Sequence, residues 1–252
     1  MTSTTPRKTL LFLGATGGVG LSALRRALAA DHTCIALCRT PSKLAALLPS
    51  PTPANLHLVE GNAHDEAALA KALVAPSDKN RLVDGIVFSI GAKPTLRGMD
   101  DPHVCEVGMK ALLAALRKVK GDGVTGGKPL LVAVSSTGIS DAGRDLPLLM
   151  VPLYKVLLGT AHKDKKAMEN LAIKGGEEGL VDWTLIRGSL YTDGPATEGN
   201  VREGMEDVVN GVVESEAVGY TISREDVGKW VFENLVKGDG GKWFGKAATL
   251  TY

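Results

Sequence analysis

Short apolar runs alternate with amphipathic stretches through most of this chain. Thr9–Leu13, Thr33–Cys38, Leu56–Glu60, Gly85–Ile90, Pro129–Val134 and Val181–Ile186 read as strands, each a brief apolar run bounded by polar or turn residues. Between them, Gly18–Ala30, Asp65–Val74, Val104–Lys118 and Asp164–Lys174 place apolar residues at helical spacing. A short helix at Ser42–Leu48 stops at Pro49-Ser50-Pro51-Thr52-Pro53, a segment no helix crosses. Such alternation predicts an α/β fold: a parallel sheet with helices on both faces. Ala75–Asp84 and the glycine-rich Gly121–Lys128 break the rhythm and read as surface connections. From about Tyr191 the alternation weakens. There is no internal repeat and no long linker, so residues 1–252 read as one domain. Residues from about 190 to 252 are expected to cover the C-terminal ends of the strands, where ligands bind in open α/β sheets.

The first strand runs into Gly14-Ala15-Thr16-Gly17-Gly18-Val19-Gly20, and a helix follows at once. Strand, tight glycine turn and helix together form the setting of a dinucleotide-binding loop and predict a doubly wound, Rossmann-type sheet. Gly14 allows the sharp turn, Gly17 and Gly18 let backbone approach a pyrophosphate, and Gly20 lets the helix pack closely. The free N–H groups of the first helical turn favour an anion there. An NAD site would place a carboxylate at the end of the second strand to hold the ribose hydroxyls. This chain has Arg39, followed by Ser42 and Lys43. A guanidinium, a hydroxyl and an ammonium suit a 2′-phosphate, so the expected cofactor is NADP(H).

Composition narrows the partners. Lys plus Arg number 29 against 28 Asp plus Glu, and the signs are interspersed, so neither nucleic acid nor an anionic membrane is an expected partner. Cys34, Cys38 and Cys105 suggest neither a disulfide framework nor a metal site. His32, His57, His64 and His103 are scattered and form no metal-ligand pattern. The polar start Met1–Lys8 and the lack of a long apolar stretch predict a cytoplasmic protein with a small-molecule substrate, as monomer or homodimer. Trp230, Phe232 and Trp243 read as core closure.

Taken in order, the glycine loop, Arg39 through Lys43, Gly61-Asn62-Ala63, Ser89-Ile90-Gly91, Val134-Ser135-Ser136-Thr137, Lys166 with Glu169, and Trp183-Thr184-Leu185-Ile186-Arg187 resemble the short-chain dehydrogenase/reductase superfamily. More narrowly, they resemble its atypical branch, the NmrA-like proteins and the biliverdin-IXβ/flavin reductase type. The resemblance covers nearly the whole chain and implies roles. Asn62 and Ala63 would stand at the adenine, where the family usually has Gly-Asp. Ser89, Ile90 and Gly91 would pass the cofactor ribose. Ser135 and Ser136 would lie near the nicotinamide and substrate, with Ser136 bonding the acceptor oxygen. Lys166 would hold the nicotinamide ribose hydroxyls, and Gly188 through Tyr191 would line the nicotinamide pocket.

The chain departs from the family at the catalytic tyrosine. In place of Tyr-x-x-x-Lys it reads His162-Lys163-Asp164-Lys165-Lys166, and Tyr154 does not restore the motif because its +4 position is Leu158. Three readings stay open. His162 is itself the acid, since imidazole titrates near neutral pH; the reaction needs no protein acid; or the protein binds NADP(H) without reducing anything. Tyr191 is a further candidate donor, against a reading as a pocket-wall aromatic. Asp141, Arg144 and Asp145 precede the apolar stretch Leu146–Leu158, which suits a substrate lid or a partner surface equally. The expected function is an NADP(H)-dependent reductase for a small apolar or aromatic carbonyl, enone, quinone or flavin. The alternatives are an NmrA-like redox sensor and a biosynthetic isomerase, dehydratase or cyclase.

Overall fold

A computed structural model describes residues 6–95, 98–152, 154, 158–197, 199–238 and 240–252. Residues 1–5 of the polar start, and 153 and 155–157 of the Leu146–Leu158 stretch, lie outside the described residues.

The alternation becomes β1 (Thr9–Leu13), α1 (Gly18–Ala29), β2 (Thr33–Cys38), α2 (Pro41–Ala45), β3 (Leu56–Glu60), α3 (Glu66–Ala72), β4 (Gly85–Phe88), α4 (Val104–Gly121), β5 (Leu130–Ser136), α5 (Gly159–Glu177) and β6 (Asp182–Gly188). The chain then forms β7 (Arg202–Asp207), β8 (Val212–Ser215), α6 (Arg224–Val231) and β9 (Lys246–Thr251). These strands make one nine-stranded sheet in the order β8-β7-β9-β6-β5-β4-β1-β2-β3. From β3 to β9 all pairings are parallel, and β7 and β8 add an antiparallel edge. The architecture is the expected Rossmann type.

The two faces of the sheet carry separate apolar cores, because side chains alternate along each strand. Leu131 and Ala133 of β5 join the core beneath α3, α4 and α5, while Val132 and Val134 join the core beneath α1 and α6. Trp230 and Trp243 close the second core edge-to-face, with ring centroids 4.9 Å apart. The N-terminus of α4 is capped from α5: Asp164, itself buried, accepts from the N–H groups of Cys105 (3.0 Å) and Glu106 (2.8 Å).

Three details differ from the linear reading. The connection after α3 is a small hairpin, Val74–Ala75 paired with Asp78–Leu82, and the Gly121–Lys128 loop is tied to it by an Arg81–Gly126 bridge. Helix α5 begins at Gly159, before the expected Asp164. The region after Tyr191 contributes three sheet strands, and a short parallel pair, Leu190–Thr192 with Thr221–Ser223, stands beside them.

Candidate active site

Strand β1 delivers the chain to the glycine loop. Gly14 and Gly18 adopt φ +89° and +54°, the left-handed region that glycine enters without strain. Close contact excludes side chains at two positions. A Cβ on Gly20 would lie 2.2 Å from Ser89 Oγ and 2.7 Å from the Gly14 carbonyl, and one on Gly14 would lie 2.7 Å from the Ser89 backbone. Ser89 Oγ donates to the Leu13 carbonyl at 2.9 Å, joining the ends of β4 and β1. Gly17 is different. Its backbone is extended and a Cβ there would meet nothing within 4 Å. The first N–H groups of α1 lack intrahelical acceptors, and no acidic side chain stands in that turn. Ala15 and Val19 are buried under the loop and Thr16 is exposed at its rim. The cradle therefore fits a pyrophosphate.

At the end of β2, Arg39, Ser42 and Lys43 are all exposed, and Arg39 has no ion pair or hydrogen bond among the described residues. The sheet adds one group the linear spacing hid: Glu60, also exposed, lies across from Cys38 in the β2–β3 register. Asn62 is exposed; its Oδ1 accepts from the His64 N–H at 3.2 Å and keeps a second lone pair for a ligand. Ala63 is half-buried behind it. All three cysteines are free and buried. Burial pushes the Cys34 thiol up to about 12 and the Cys105 thiol up to about 11, so both stay protonated.

Beyond the cradle, helix α5 aims a lysine at the strand ends, but it is Lys165 rather than Lys166. Lys165 Nζ donates to Ile90 O (2.8 Å) and Val134 O (2.7 Å) and also interacts with the Cys105 side chain. Lys166 turns away, pairing with Asp141 at 2.5 Å and donating to Ile139 O at 3.2 Å. Where the resemblance placed Lys166 at the strand ends, the structure thus places its neighbour. Both lysines lie within one turn of Glu169, at i+4 and i+3, so spacing does not separate them, and the rotational phase of α5 does. Gly91 is exposed beside this junction, with open space where a Cβ would stand.

The two donors proposed for the missing tyrosine do not sit as acids. Tyr191 donates its hydroxyl to Ser135 O at 2.9 Å and accepts from the Gly188 N–H at 3.2 Å, and burial raises its pKa well above the ordinary phenol range. It clamps β5 to β6, and a Cβ on Gly188 would strike its ring. His162 packs against Tyr154 with ring centroids 5.3 Å apart, and its Nε2 is buried without a protein partner. Burial lowers its pKa below the ordinary 6.5 and favours neutral imidazole, a poor acid. Tyr154 is buried, and burial raises its pKa too. Ser135 and Ser136 alternate across the strand. Ser135 is buried with Oγ unpartnered, whereas Ser136 is half-buried with no hydrogen bond from its hydroxyl among the described residues.

Under this end lies a buried ion network that the sequence did not reveal. Arg187, across from Ser135 in the β5–β6 register, is fully buried. It bonds Glu169 through Nε (3.1 Å) and Nη2 (2.9 Å), and Glu206 of β7 through Nη1 (2.8 Å). Burial opposes its charge, but both carboxylates hold its pKa above the ordinary arginine value. Ser140 Oγ donates to Glu206 at 2.5 Å, which ties the loop after β5 to the same network.

Comparison with known proteins agrees with this geometry. Residues 14–237 match a family model described as NAD(P)H-binding. The chain is 40% identical over 269 residues to reductase pytE of Aspergillus terreus, covering 100% of both chains. It is 34% identical over 281 residues to oxidase pynE of Aspergillus niger, covering 97% of this chain and 99% of that one. A short-chain dehydrogenase/reductase from Veillonella parvula, solved in complex with NADP, superposes with a TM-score of 0.68 at 15% identity, over 98% of this chain and 95% of that one. With the cradle, the sheet order and these matches in agreement, the chain belongs to the NAD(P)H-binding family.

Proposed function

We propose that the protein is an NADP(H)-dependent oxidoreductase that reduces a small apolar or aromatic carbonyl, enone, quinone or flavin. Arg39 carries the choice of cofactor. It is an exposed guanidinium with no ion pair or hydrogen bond among the described residues, at the strand end where an NAD site would hold a carboxylate. The two Aspergillus relatives, named a reductase and an oxidase, support redox chemistry and leave its direction to experiment.

When bound, the nicotinamide supplies a hydride. The chain's own groups bind and orient. The glycine cradle takes the diphosphate, and Arg39 with Ser42 and Lys43 takes the 2′-phosphate. Lys165 serves the ribose hydroxyls, and the Ser136 hydroxyl is available to the acceptor oxygen. Positioning of this kind supplies much of a rate enhancement without a protein acid. Because Tyr191 is locked and burial disfavours charge on His162, acceptors that draw their proton from solvent suit the site best, and flavins, quinones and enones are of this type. Ser135 Oγ, Asp145 Oδ2 and His162 Nε2, all at or near the end of β5 and without partners among the described residues, are the groups a polar substituent would engage.

The test is fluorescence titration with NADPH and NADH, followed by NADPH oxidation across a panel of flavins, quinones and enones. Arg39→Asp is expected to weaken NADPH about 10- to 100-fold more than NADH, the scale of a lost charge-assisted contact. Equal loss for both nucleotides would overturn the 2′-phosphate assignment. A redox-sensor reading is favoured by one observation: Leu148 and Leu149 are 69% and 80% exposed beside the site, as a partner surface would be. Tight NADPH binding with no turnover on any acceptor would select that reading.

A further inference from the structure

The cradle has a second cationic neighbour, which comes from the far end of the chain. Arg224 is the first residue of α6, and its stem lies over the glycine loop. Its Cδ is 3.1 Å, and its Nε 3.7 Å, from the point a Cβ on Gly18 would occupy. Its guanidinium carbon is 5.8 Å from the centroid of the Tyr191 ring, and Nη1 donates to Asp193 at 2.9 Å.

The backbone of Arg224 is held tightly against α1. Ser223 Oγ caps α6 by accepting from the Asp226 N–H at 3.0 Å. Ser22 Oγ of α1 donates to Glu225 O at 3.0 Å, and Arg26 pairs with Glu225 at 2.6 Å. The two helices touch so closely that a Cβ on Gly228 would lie 2.3 Å from Ser22. The Tyr191 platform is equally constrained, since its hydroxyl is bonded to Ser135 and Gly188. Only the outer end of the arginine has an exchangeable partner. Asp193 is 92% exposed and the Arg224 side chain 38% exposed, and exposed pairs of this kind contribute little.

We propose that Arg224 clasps the diphosphate of the bound dinucleotide, leaving Asp193 for a phosphate oxygen. A planar guanidinium suits bidentate contact with phosphate, and its cation–π contact with the Tyr191 ring pre-orients it. The exchange also explains why Tyr191 is locked: it carries the clasp rather than a proton. Asp193 is then a competing anion that holds the arginine when no nucleotide is bound. The inference rests on the dinucleotide reading, but it concerns the part that NADPH and NADH share, so it separates cleanly from the Arg39 assignment.

The experiment is nucleotide fluorescence titration of the full chain with NADPH and with NADH at two salt concentrations, with thermal melts as the check on folding. Arg224→Ala is expected to weaken both nucleotides equally, by about 10- to 100-fold, and to flatten the salt dependence. Arg224→Lys is expected to restore part of the loss. Asp193→Asn is expected to tighten both nucleotides a few-fold by removing the competitor. If the wild-type protein binds and Arg224→Ala binds equally well, or loses NADPH alone, the clasp is wrong and the dinucleotide reading stands. If the wild-type protein binds neither nucleotide, both fall together.

Discussion

At the glycine loop, recognition is carried by backbone: positive-φ glycines, unpaired N–H groups at the start of α1, and an open face at Gly17. At the end of β5 it is carried by side chains that converge from β5, α5, β6 and β7. There Lys165 bridges β5 and the segment just after β4, Arg187 is buried between two carboxylates, and several buried hydroxyl, carboxylate and imidazole atoms have no partner among the described residues. The first region needs only a short piece of chain with the right glycines. The second exists only once distant segments have packed, and each buried polar atom left without a partner costs ~1–3 kcal/mol. One region therefore states its ligand through local pattern, while the other stores its specificity in packing.

The contrast can be broken most severely at Arg187. Arg187→Ala would leave Glu169 and Glu206 buried without their counter-ion, at a cost of ~3–5 kcal/mol. Urea denaturation at neutral pH measures it, and a loss below ~1 kcal/mol would mean the network does not hold the β5 end together. A pair of glycine variants sharpens the other side. Gly20→Ala drives a methyl into Ser89 and the Gly14 carbonyl and is expected to cost ~1–3 kcal/mol of stability. Gly17→Ala has open space and extended backbone, so its stability should move by no more than ~0.5 kcal/mol. Its NADPH affinity should nevertheless fall by at least about 10-fold, because the methyl enters the cradle where a phosphate would sit. If Gly17→Ala binds like the wild type, the open face is not the phosphate site.

The smallest expected effect is in pH. Burial lowers the pKa of both His162 and His32 below 6.5. The unfolded chain therefore takes up protons at these positions before the folded chain does. Their contribution to stability is complete above about pH 6.5 and is lost as pH falls through the lowered folded values. The unfolding free energy should drop by up to ~1 kcal/mol per histidine between pH 7.5 and 5.5. His162→Phe should remove part of that slope and leave the His32 part; an unchanged slope would show that His162 is solvated after all.

Tertiary contact overrides local signals at several points. Arg202-Glu203-Gly204-Met205-Glu206-Asp207 is charged and falls where the alternation weakens, yet it is strand β7, and Glu206 is buried where it meets Arg187. Lys165 and Lys166 are equivalent as residue types, and only the rotation of α5 distinguishes them. Arg224 carries no motif. It matters because α6 packs on α1 and brings it over Gly18. Glu60 reaches the neighbourhood of the basic turn only through the β2–β3 register.

By itself, then, the sequence determined the order of strands and helices as far as β6, the glycine cradle, the basic turn after β2 and, through them, the family. These are short-range properties: hydrophobic period, glycine conformational freedom and charge within one turn. Tertiary structure alone decided which lysine faces the strand ends, that Tyr191 is a clamp, that burial disfavours charge on His162, and that Arg187 and Arg224 flank the site. Burial, rotational phase and cross-strand register are set by the packing of segments far apart in the chain, and no local window of residues contains them.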